Sequence, residues 1–162
     1  MGHMTRRLRP VGLDFIDSAP VRLVFAAQAA AAPEAVYRAL AEEVEAWPAW
    51  FRAVSRARPT HGGAGREIRL MGGVRFQETI MAADPELRYA YRVDETNVPG
   101  LHALLEEWRL APAASGTRVR WTFAAAGAAP FRTALGLARP GLGRSFRDAV
   151  RALDRRLGPV PG

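Results

Sequence analysis

Apolar and polar residues alternate along much of the chain, and this pattern predicts strands. The run VRLVFAAQAA, at residues 21–30, predicts a first strand. Four short alternating runs come later, each bounded by turn-forming residues: SRARP, REIRLM, VRFQETIM and LRYAYRV. The stretch from residue 101 to 123 adds two more runs, separated by APAASG.

Helical spacing of apolar residues is confined to two places. In AAPEAVYRALAEEVEAWPAWFRAV (31–54), Val36, Leu40 and Val44 recur at helical spacing and Pro48 divides the segment, which predicts two short helices at 33–41 and 44–51. Residues 131–157 carry an apolar stripe opposite arginines, which predicts a long helix that RPGLG should kink or break. The predicted order is one strand, two short helices, about six strands and one long helix.

The stretch LHALLEEWRL (101–110) needs a separate argument, because Leu, Ala and Glu also favour helices. If it pairs with TRVRWTF around a turn near 113–116, one face is apolar and the other is charged, as in a sheet with one solvated face. The predicted pairs on the apolar face are Leu110–Val119, Trp108–Trp121 and Glu106–Phe123. The other face then holds Glu107, Arg109, Arg118, Arg120 and Thr122. A helix would explain neither face, so we predict strands.

The same reasoning applies to VRFQETIMAADPELRYAYRV. With a turn at 83–86, the predicted apolar pairs are Ile80–Leu87, Glu78–Tyr89, Phe76–Tyr91 and Val74–Val93. Both hairpins therefore direct one carboxylate, Glu78 or Glu106, toward the interior. An unpaired charge is costly in a dry core, so we expect a partly polar cavity. His102 is an even number of residues from Glu106 on the same strand, so it would face the same side. The hydroxyl groups of Tyr89 and Tyr91 could hydrogen-bond to the carboxylates.

Length and composition restrict the possibilities further. The 162 residues predict one domain at 20–158, after an N-terminal extension (1–19) whose MGHM is typical of a cloning remnant, and before a short tail (159–162). The net charge is +7, and all 23 basic residues are arginines spread along the chain, which indicates a GC-rich bacterial coding bias and a solvated surface rather than a nucleic-acid site. The chain has no cysteine, and no signal peptide or membrane-length apolar run is visible. We expect a cytoplasmic protein.

Four segments together resemble a known superfamily: APEAVYRAL, VEAWPAWF, DPELRYAYRV and EEWRLAPAASGTRVRWTF, in this order within residues 20–158. The chain resembles the SRPBCC or START-like proteins, which share the helix-grip fold of the major birch-pollen allergen. It is most similar to their polyketide cyclase, dehydrase and lipid-transport branch. The resemblance implies an α+β fold in which a curved antiparallel sheet of about seven strands wraps around a long C-terminal helix, with a ligand cavity between them.

The resemblance also implies where a ligand would bind. The mouth of the cavity would involve Trp47, Trp50 and Phe51 with the loop 94–100, although the two tryptophans could instead fasten the short helices to the sheet. The walls and the helical lid would be formed by Ile68, Leu70, Phe76, Glu78, Tyr89, Tyr91, Glu106, Trp108, Trp121, Phe123, Phe131, Leu135 and Phe146. No metal or cofactor is implied, since no local metal-ligand motif is present.

Two functions follow as expectations. The first is binding of a hydrophobic small molecule, polyketide-, aromatic- or lipid-like, by a monomer or homodimer with no nucleic-acid partner. The alternative is a cofactor-independent polyketide cyclase, aromatase or dehydratase, a lyase or isomerase, with Glu78, Glu106 and His102 as acid/base groups. Each glutamate could instead pair with an inward arginine or a tyrosine hydroxyl and only orient a ligand. Cyclases of this branch carry a tyrosine and an arginine where this chain has Val54 and Ile80–Met81, which weakens the cyclase expectation. A protein-interaction module and nucleic-acid binding are lower-ranked alternatives.

Overall fold

The computed structural model describes residues 4–158, so residues 1–3 and the expected tail at 159–162 lie outside the described part. Eight strands, three α-helices and several short turns of other helix types follow one another along the chain. In order they are β1 (Arg6–Arg7), α1 (Phe15–Ser18), β2 (Val21–Ala29), α2 (Pro33–Tyr37), a π turn (Arg38–Glu42), a 3-10 helix (Val44–Ala49), β3 (Val54–Thr60), a 3-10 turn (His61–Gly63), β4 (Gly65–Leu70), β5 (Arg75–Asp84), β6 (Arg88–Thr96), β7 (Leu101–Ala113), β8 (Gly116–Gly127) and α3 (Ala129–Leu157).

The strands form one curved, open antiparallel sheet, as predicted. Its order is β2-β8-β7-β6-β5-β4-β3, and β1 pairs with β6 outside this path. The long helix α3 packs against the inner face, where Phe146 is fully buried with its ring 5.9 Å from that of Trp121 and 6.2 Å from that of Phe25. The α+β helix-grip expectation is therefore confirmed.

The β7–β8 hairpin has the predicted register. Leu110 pairs with Val119, Trp108 with Trp121, and Glu106 with Phe123. Gly116 allows β8 to begin directly beside the end of β2, because a Cβ there would lie 2.0 Å from a backbone carbonyl oxygen. LHALLEEWRL is therefore a strand, and its alternating sides determine which carboxylate points inward.

The predicted register of β5 and β6 is wrong. Glu78 pairs with Val93 and Ile80 with Tyr91, so none of the pairs predicted for this hairpin forms. The turn lies further along the chain, with Glu86 at a positive φ of 67°, and irregularities between 77 and 78 and between 80 and 82 absorb extra residues. The observed partner of Glu78 on β6 lies four positions beyond the predicted one. A shift by an even number of residues keeps the same side of the sheet, so Glu78, Tyr89 and Tyr91 remain buried.

The helices lie where the pattern places them, but with different geometry. The first predicted helix is α-helical only to Tyr37 and continues as the π turn, and the second is a 3-10 helix that contains Pro48. The helix α3 is unbroken through Pro140, so the predicted break is wrong. Pro140 is exposed, and the carbonyl that loses its helical partner can be hydrated there, while buried residues on both sides keep the helix on the sheet.

The outer face of the sheet is only partly solvated, contrary to expectation. Residues from the N-terminal segment, Val11, Phe15 and Ile16, form a second apolar cluster with Leu105 and Ala124 of that face. The outward Glu107 is also buried, with its carboxylate 2.5 Å from Arg88 Nε and 3.1 Å from Arg109 Nε. Two guanidinium partners compensate the desolvation of this carboxylate.

Candidate functional site

An apolar-walled cavity of about 240 Å³ lies between the inner face of the sheet and α3. Strands β3 to β8, the 97–100 loop, the 3-10 helix and α3 as far as Ser145 all contribute to it. We call it the inner cavity, and its lining residues are Trp47, Phe51, Ala53, Val54, Arg66, Ile68, Leu70, Val74, Phe76, Glu78, Tyr91, Val98, Leu101, Leu104, Glu106, Trp121, Phe123, Phe131, Leu135, Ala138, Leu142 and Ser145.

Most of the expected ligand-binding residues line this cavity. Those that do are Trp47, Phe51, Ile68, Leu70, Phe76, Tyr91, Trp121, Phe123, Phe131 and Leu135, together with Glu78 and Glu106. Four others, Trp50, Tyr89, Trp108 and Phe146, are buried but do not line the cavity. They support the wall from behind.

The tryptophans expected at the mouth are core residues. Trp47 and Trp50 are 2% and 1% exposed, with ring centroids 4.8 Å apart, and both meet Trp108 edge-on. The Trp47 indole N–H donates to the carbonyl oxygen of Leu40 at 3.0 Å. This packing fastens the short helices to the sheet, which is the alternative that the sequence left open. A gating role does not fit such burial.

The structure separates His102 from the two carboxylates. A register shift between Leu101 and Ala103 makes His102 a bulged residue, and its side chain is exposed. Leu101 lines the cavity instead. Counting parity from Glu106 fails here because a bulge inserts an unpaired residue and changes the face. His102 therefore cannot act together with Glu78 and Glu106 in this conformation.

Glu78 forms a buried ion pair with Arg66 on the neighbouring strand. The Arg66 Nε donates to Glu78 Oε1, and the two side chains are 2% and 1% exposed. Burial raises the pKa of Glu78 to about 7, although Arg66 lowers it, and the Glu106 carboxylate adds to the rise. Desolvation thus outweighs the ion pair, and this carboxyl can exchange a proton near neutral pH.

The Arg66 guanidinium is also held by aromatic rings. Its Cζ lies 3.8 Å from the ring centroid of Tyr91 and 4.3 Å from that of Trp47. Burial works against the charged form, but Glu78 and Tyr91 hold the pKa of Arg66 above its ordinary value. Arg66 is therefore a fixed positive charge in the cavity wall.

Glu106 accepts two hydrogen bonds from aromatic side chains. The Tyr91 hydroxyl donates to Glu106 Oε1 at 3.0 Å, and the Trp121 indole N–H donates to the same oxygen at 2.9 Å. The Trp108 indole N–H in turn donates to the Tyr91 hydroxyl oxygen at 3.1 Å. Burial raises the pKa of Glu106, while Arg66 and the two donors oppose that rise. The two inward carboxylates thus have different partners, a guanidinium for Glu78 and neutral donors for Glu106.

The most important residue that the sequence reasoning missed is Arg66. It precedes Ile68 and Leu70 by two and four positions on β4, so strand parity already placed it on the inner face. The α3 residues Leu142 and Ser145 were missed in the same way, since they continue the helical stripe that starts at Leu135.

A larger cleft, about 760 Å³, lies on the opposite face of the sheet between the N-terminal segment and strands β4 to β6. Its walls carry charged side chains that pair with one another. Arg7 lies 3.8 Å from Glu95, and Arg69 lies 3.4 Å from Glu67. The cleft thus has a mixed lining in which charged groups already have partners, whereas the wall of the inner cavity is almost wholly apolar, so the inner cavity is the better candidate site.

Two further features concern the part of the chain that the structure describes. Within residues 4–158, no group of three or more His, Cys, Asp or Glu residues is arranged so that it could hold a metal ion. Across the same residues, no helix has the length and apolar character that a membrane crossing requires.

The comparisons with known proteins agree with this architecture. The chain belongs to the family described as "Polyketide cyclase / dehydrase and lipid transport", which matches residues 20–158. It is 31% identical over 150 residues to an uncharacterized protein of Mycobacterium tuberculosis, covering 90% of this chain and 89% of the relative. The expected SRPBCC and START-like membership is confirmed.

Solved structures with little sequence identity share the fold. A START superfamily protein from Mycobacterium smegmatis superposes with a TM-score of 0.64 at 11% identity, over 84% of this chain and 96% of the other. Ara h 8.0201 superposes with a TM-score of 0.63 at 12% identity, over 85% of this chain and 97% of the other. At these identities the likeness concerns the fold alone.

Proposed function

We propose that this protein binds a compact hydrophobic small molecule in the inner cavity. The observation that carries the proposal is the cavity wall, which is apolar except for a few polar side chains such as Arg66, Glu78 and Glu106. Such a wall, with few and fixed polar groups, is what small-molecule sites have in common. Family membership supports the same reading, because the family description includes lipid transport.

The volume of the cavity limits the size of the ligand that it can hold. Its volume of about 240 Å³ lies below the roughly 300–1,000 Å³ of pockets for drug-sized ligands. A single ring or a short chain fits this volume better than a sterol or a multi-ring polyketide. We therefore expect monocyclic aromatic or short aliphatic compounds to bind more tightly than large lipids.

A cavity-filling variant tests the proposal. Ser145 lines the cavity from α3, so Ser145→Phe would place a phenyl ring within it. The matched control is Thr133→Phe, which adds the same ring at an exposed position of the same helix. We expect small aromatic ligands to raise the Tm of the wild type and of the control but not of Ser145→Phe. Equal ligand effects on all three proteins would contradict binding in the inner cavity.

A second candidate function is cofactor-independent acid/base catalysis on the bound molecule. The observation that favours it is a cavity-lining carboxyl, Glu78, whose pKa is raised to about 7, because a general acid or base works best near the operating pH. Cyclisation, dehydration and isomerisation all need such a group. Glu78→Gln and Glu106→Gln separate the two functions: lost turnover with retained binding supports an enzyme, and unchanged turnover in both variants excludes these roles.

A further inference from the structure

The exposure of its lining residues indicates where the inner cavity reaches the surface. Leu104, on the floor of the cavity, is fully buried. Ala138 on α3 is exposed, and Val74 and Val98 are half-buried. The mouth of the cavity therefore lies between α3, the 97–100 loop and the turn that precedes Val74.

The side chain of Arg6 holds the 97–100 loop from outside the cavity. Its Nη1 donates to the carbonyl oxygen of Leu101 at 2.7 Å, and its Nη2 donates to the carbonyl oxygen of Val98. Both of these residues line the cavity. Because one planar guanidinium binds two carbonyl groups, it fixes the backbone on both sides of Pro99 and Gly100.

The segment that carries this arginine fills a gap between two strands. β6 pairs with β7 only as far as Arg92, and β1 takes the vacant place beside the rest of β6. The Arg9 N–H donates to the carbonyl oxygen of His102 on β7 at 2.9 Å, and the side chain of Leu8 is buried in the main core. We call residues 6–9 the N-terminal clasp, because they bind both strands and the loop that joins them.

The loop is also tied to the turn on the other side of the mouth. The Asn97 Oδ1 accepts a hydrogen bond from the backbone N–H of Arg75 at 2.9 Å, and its Nδ2 donates to the carbonyl oxygen of Gly73 at 2.9 Å. Val74, which lies between these two partners, lines the cavity. The clasp, the loop and the turn thus form one connected closure.

This closure is weakest at the contacts of Arg6. Arg6 is exposed, so water competes for its donors and for the carbonyl groups of the loop. On the other side of the cavity, α3 is held by the buried side chains of Leu135 and Phe146. Segments with exposed hydrogen bonds and few buried contacts open first, so opening should begin at the clasp.

We propose that the N-terminal clasp holds the inner cavity closed, and that a ligand enters and leaves when Arg6 releases the 97–100 loop. This inference rests on the proposed ligand-binding function and adds the control of access to that site. Arg6 does not line the cavity, so it is a positioning residue that sets how often the mouth opens. Since the family match begins at residue 20, the clasp is an addition to the part of the chain that the family describes.

Amide hydrogen exchange of Arg6→Met, followed by NMR in the full-length protein, tests the contact itself. The substitution removes both donors and keeps an unbranched side chain. The matched control is Arg7→Met, which changes a neighbour that is 90% exposed and lies 3.8 Å from Glu95. We expect the amides of residues 98–101 to exchange about tenfold faster in Arg6→Met, as the loss of a hydrogen bond to a charged group implies, and to be unchanged in Arg7→Met.

Binding kinetics test the consequence for the ligand. The probe is acetophenone, a water-soluble monocyclic aromatic compound, and the line shapes of an NMR titration give its association and dissociation rate constants. If entry and exit both require opening, both constants should rise about tenfold in Arg6→Met, while Kd stays the same. A residue that only stabilised the fold would lower the Tm without this paired change.

The other outcomes are distinct. Unchanged amide exchange and rate constants in Arg6→Met would overturn the clasp and leave ligand binding intact. Faster dissociation alone, with a weaker affinity, would also overturn it, because Arg6 would then act on the bound state. If Arg6→Met does not unfold cooperatively, Arg6→Lys keeps the charge without the planar pair of donors and gives the same comparison. Binding to none of the proteins would remove the proposed function, and amide exchange would still decide whether Arg6 holds the loop.

Discussion

The buried pair of Glu78 and Arg66 makes a quantitative prediction about pH. The ordinary pKa of a glutamate is 4.5, and burial raises that of Glu78 to about 7 in the folded protein. The folded state therefore holds this proton more tightly than the unfolded state. The stabilisation is fully present below pH 4.5 and is lost as the pH rises through 7. The two pKa values correspond to a loss of about 3 kcal/mol.

The substitution Glu78→Gln removes this titration and keeps an amide oxygen beside Arg66. We expect the free energy of unfolding of the wild type to fall relative to that of the variant by about 3 kcal/mol between pH 4.5 and pH 8. Urea denaturation at half-unit pH intervals measures both curves. Glu106 is present in both proteins, so the difference between the curves reports on Glu78.

The matched control is Glu45→Gln, which removes a carboxylate at an exposed position of the 3-10 helix. Its pH curve should follow that of the wild type. If the curves of the wild type and Glu78→Gln also run parallel from pH 4.5 to pH 8, the carboxyl of Glu78 is not held in its protonated form. The desolvation argument for the site, and with it the acid/base alternative, would then be refuted.

Further predictions concern packing and the aromatic donors. Phe146→Ala should lower the free energy of unfolding by about 3–5 kcal/mol in urea titrations, because the ring is fully buried against the sheet; a loss under about 1 kcal/mol would contradict this packing. Tyr91→Phe should cost about 1–3 kcal/mol in the same assay, since it removes one donor to Glu106; an unchanged stability would show that this hydrogen bond is not made. Gly116→Ala should lower the Tm, because its Cβ would overlap a backbone carbonyl, whereas Gly141→Ala meets open space and should not lower it; equal effects would refute the close approach.

Strand parity predicted the inner face well, because a residue's side of the sheet depends only on counting along the strand. It placed Glu78 and Glu106 correctly, and the same count also placed Arg66 on the inner face, although the sequence reasoning did not use it. Parity fails only where a bulge inserts a residue, and this is why His102 is exposed instead of facing the cavity. Bulges depend on how two strands fit together, which a single sequence does not show.

Register was predictable for one hairpin and not for the other. The β7–β8 hairpin has a short turn at Gly116, and the register that pairs Trp108 with Trp121 is the one that keeps the apolar face intact. Between β5 and β6, two irregularities and a turn with a positive φ at Glu86 move the pairing by four residues at Glu78 and Ile80 and by five at Phe76. An alternating pattern specifies the face strongly and the register only weakly.

Two features could not be predicted from the sequence: the residues that pack on the outer face of the sheet, and the side chains that pair with the two buried carboxylates. Phe15 and Ile16 pack on the outer face because that face is apolar near Leu105, a tertiary contact that no local pattern indicates. The pairing of Glu78 with Arg66, and of Glu106 with Tyr91, matches the alternative in which each glutamate has an inward partner. Which partner each one has depends on the order of strands in the sheet.

Native mass spectrometry of the freshly purified protein tests the central claim most directly. The account predicts a 1:1 complex with a compact apolar molecule, or a vacant protein that forms such a complex on addition of acetophenone. The complex should be absent in Ser145→Phe and present in Thr133→Phe. A protein that stays free of ligand under all these conditions, and whose Tm no compact hydrophobic compound raises, would contradict the account.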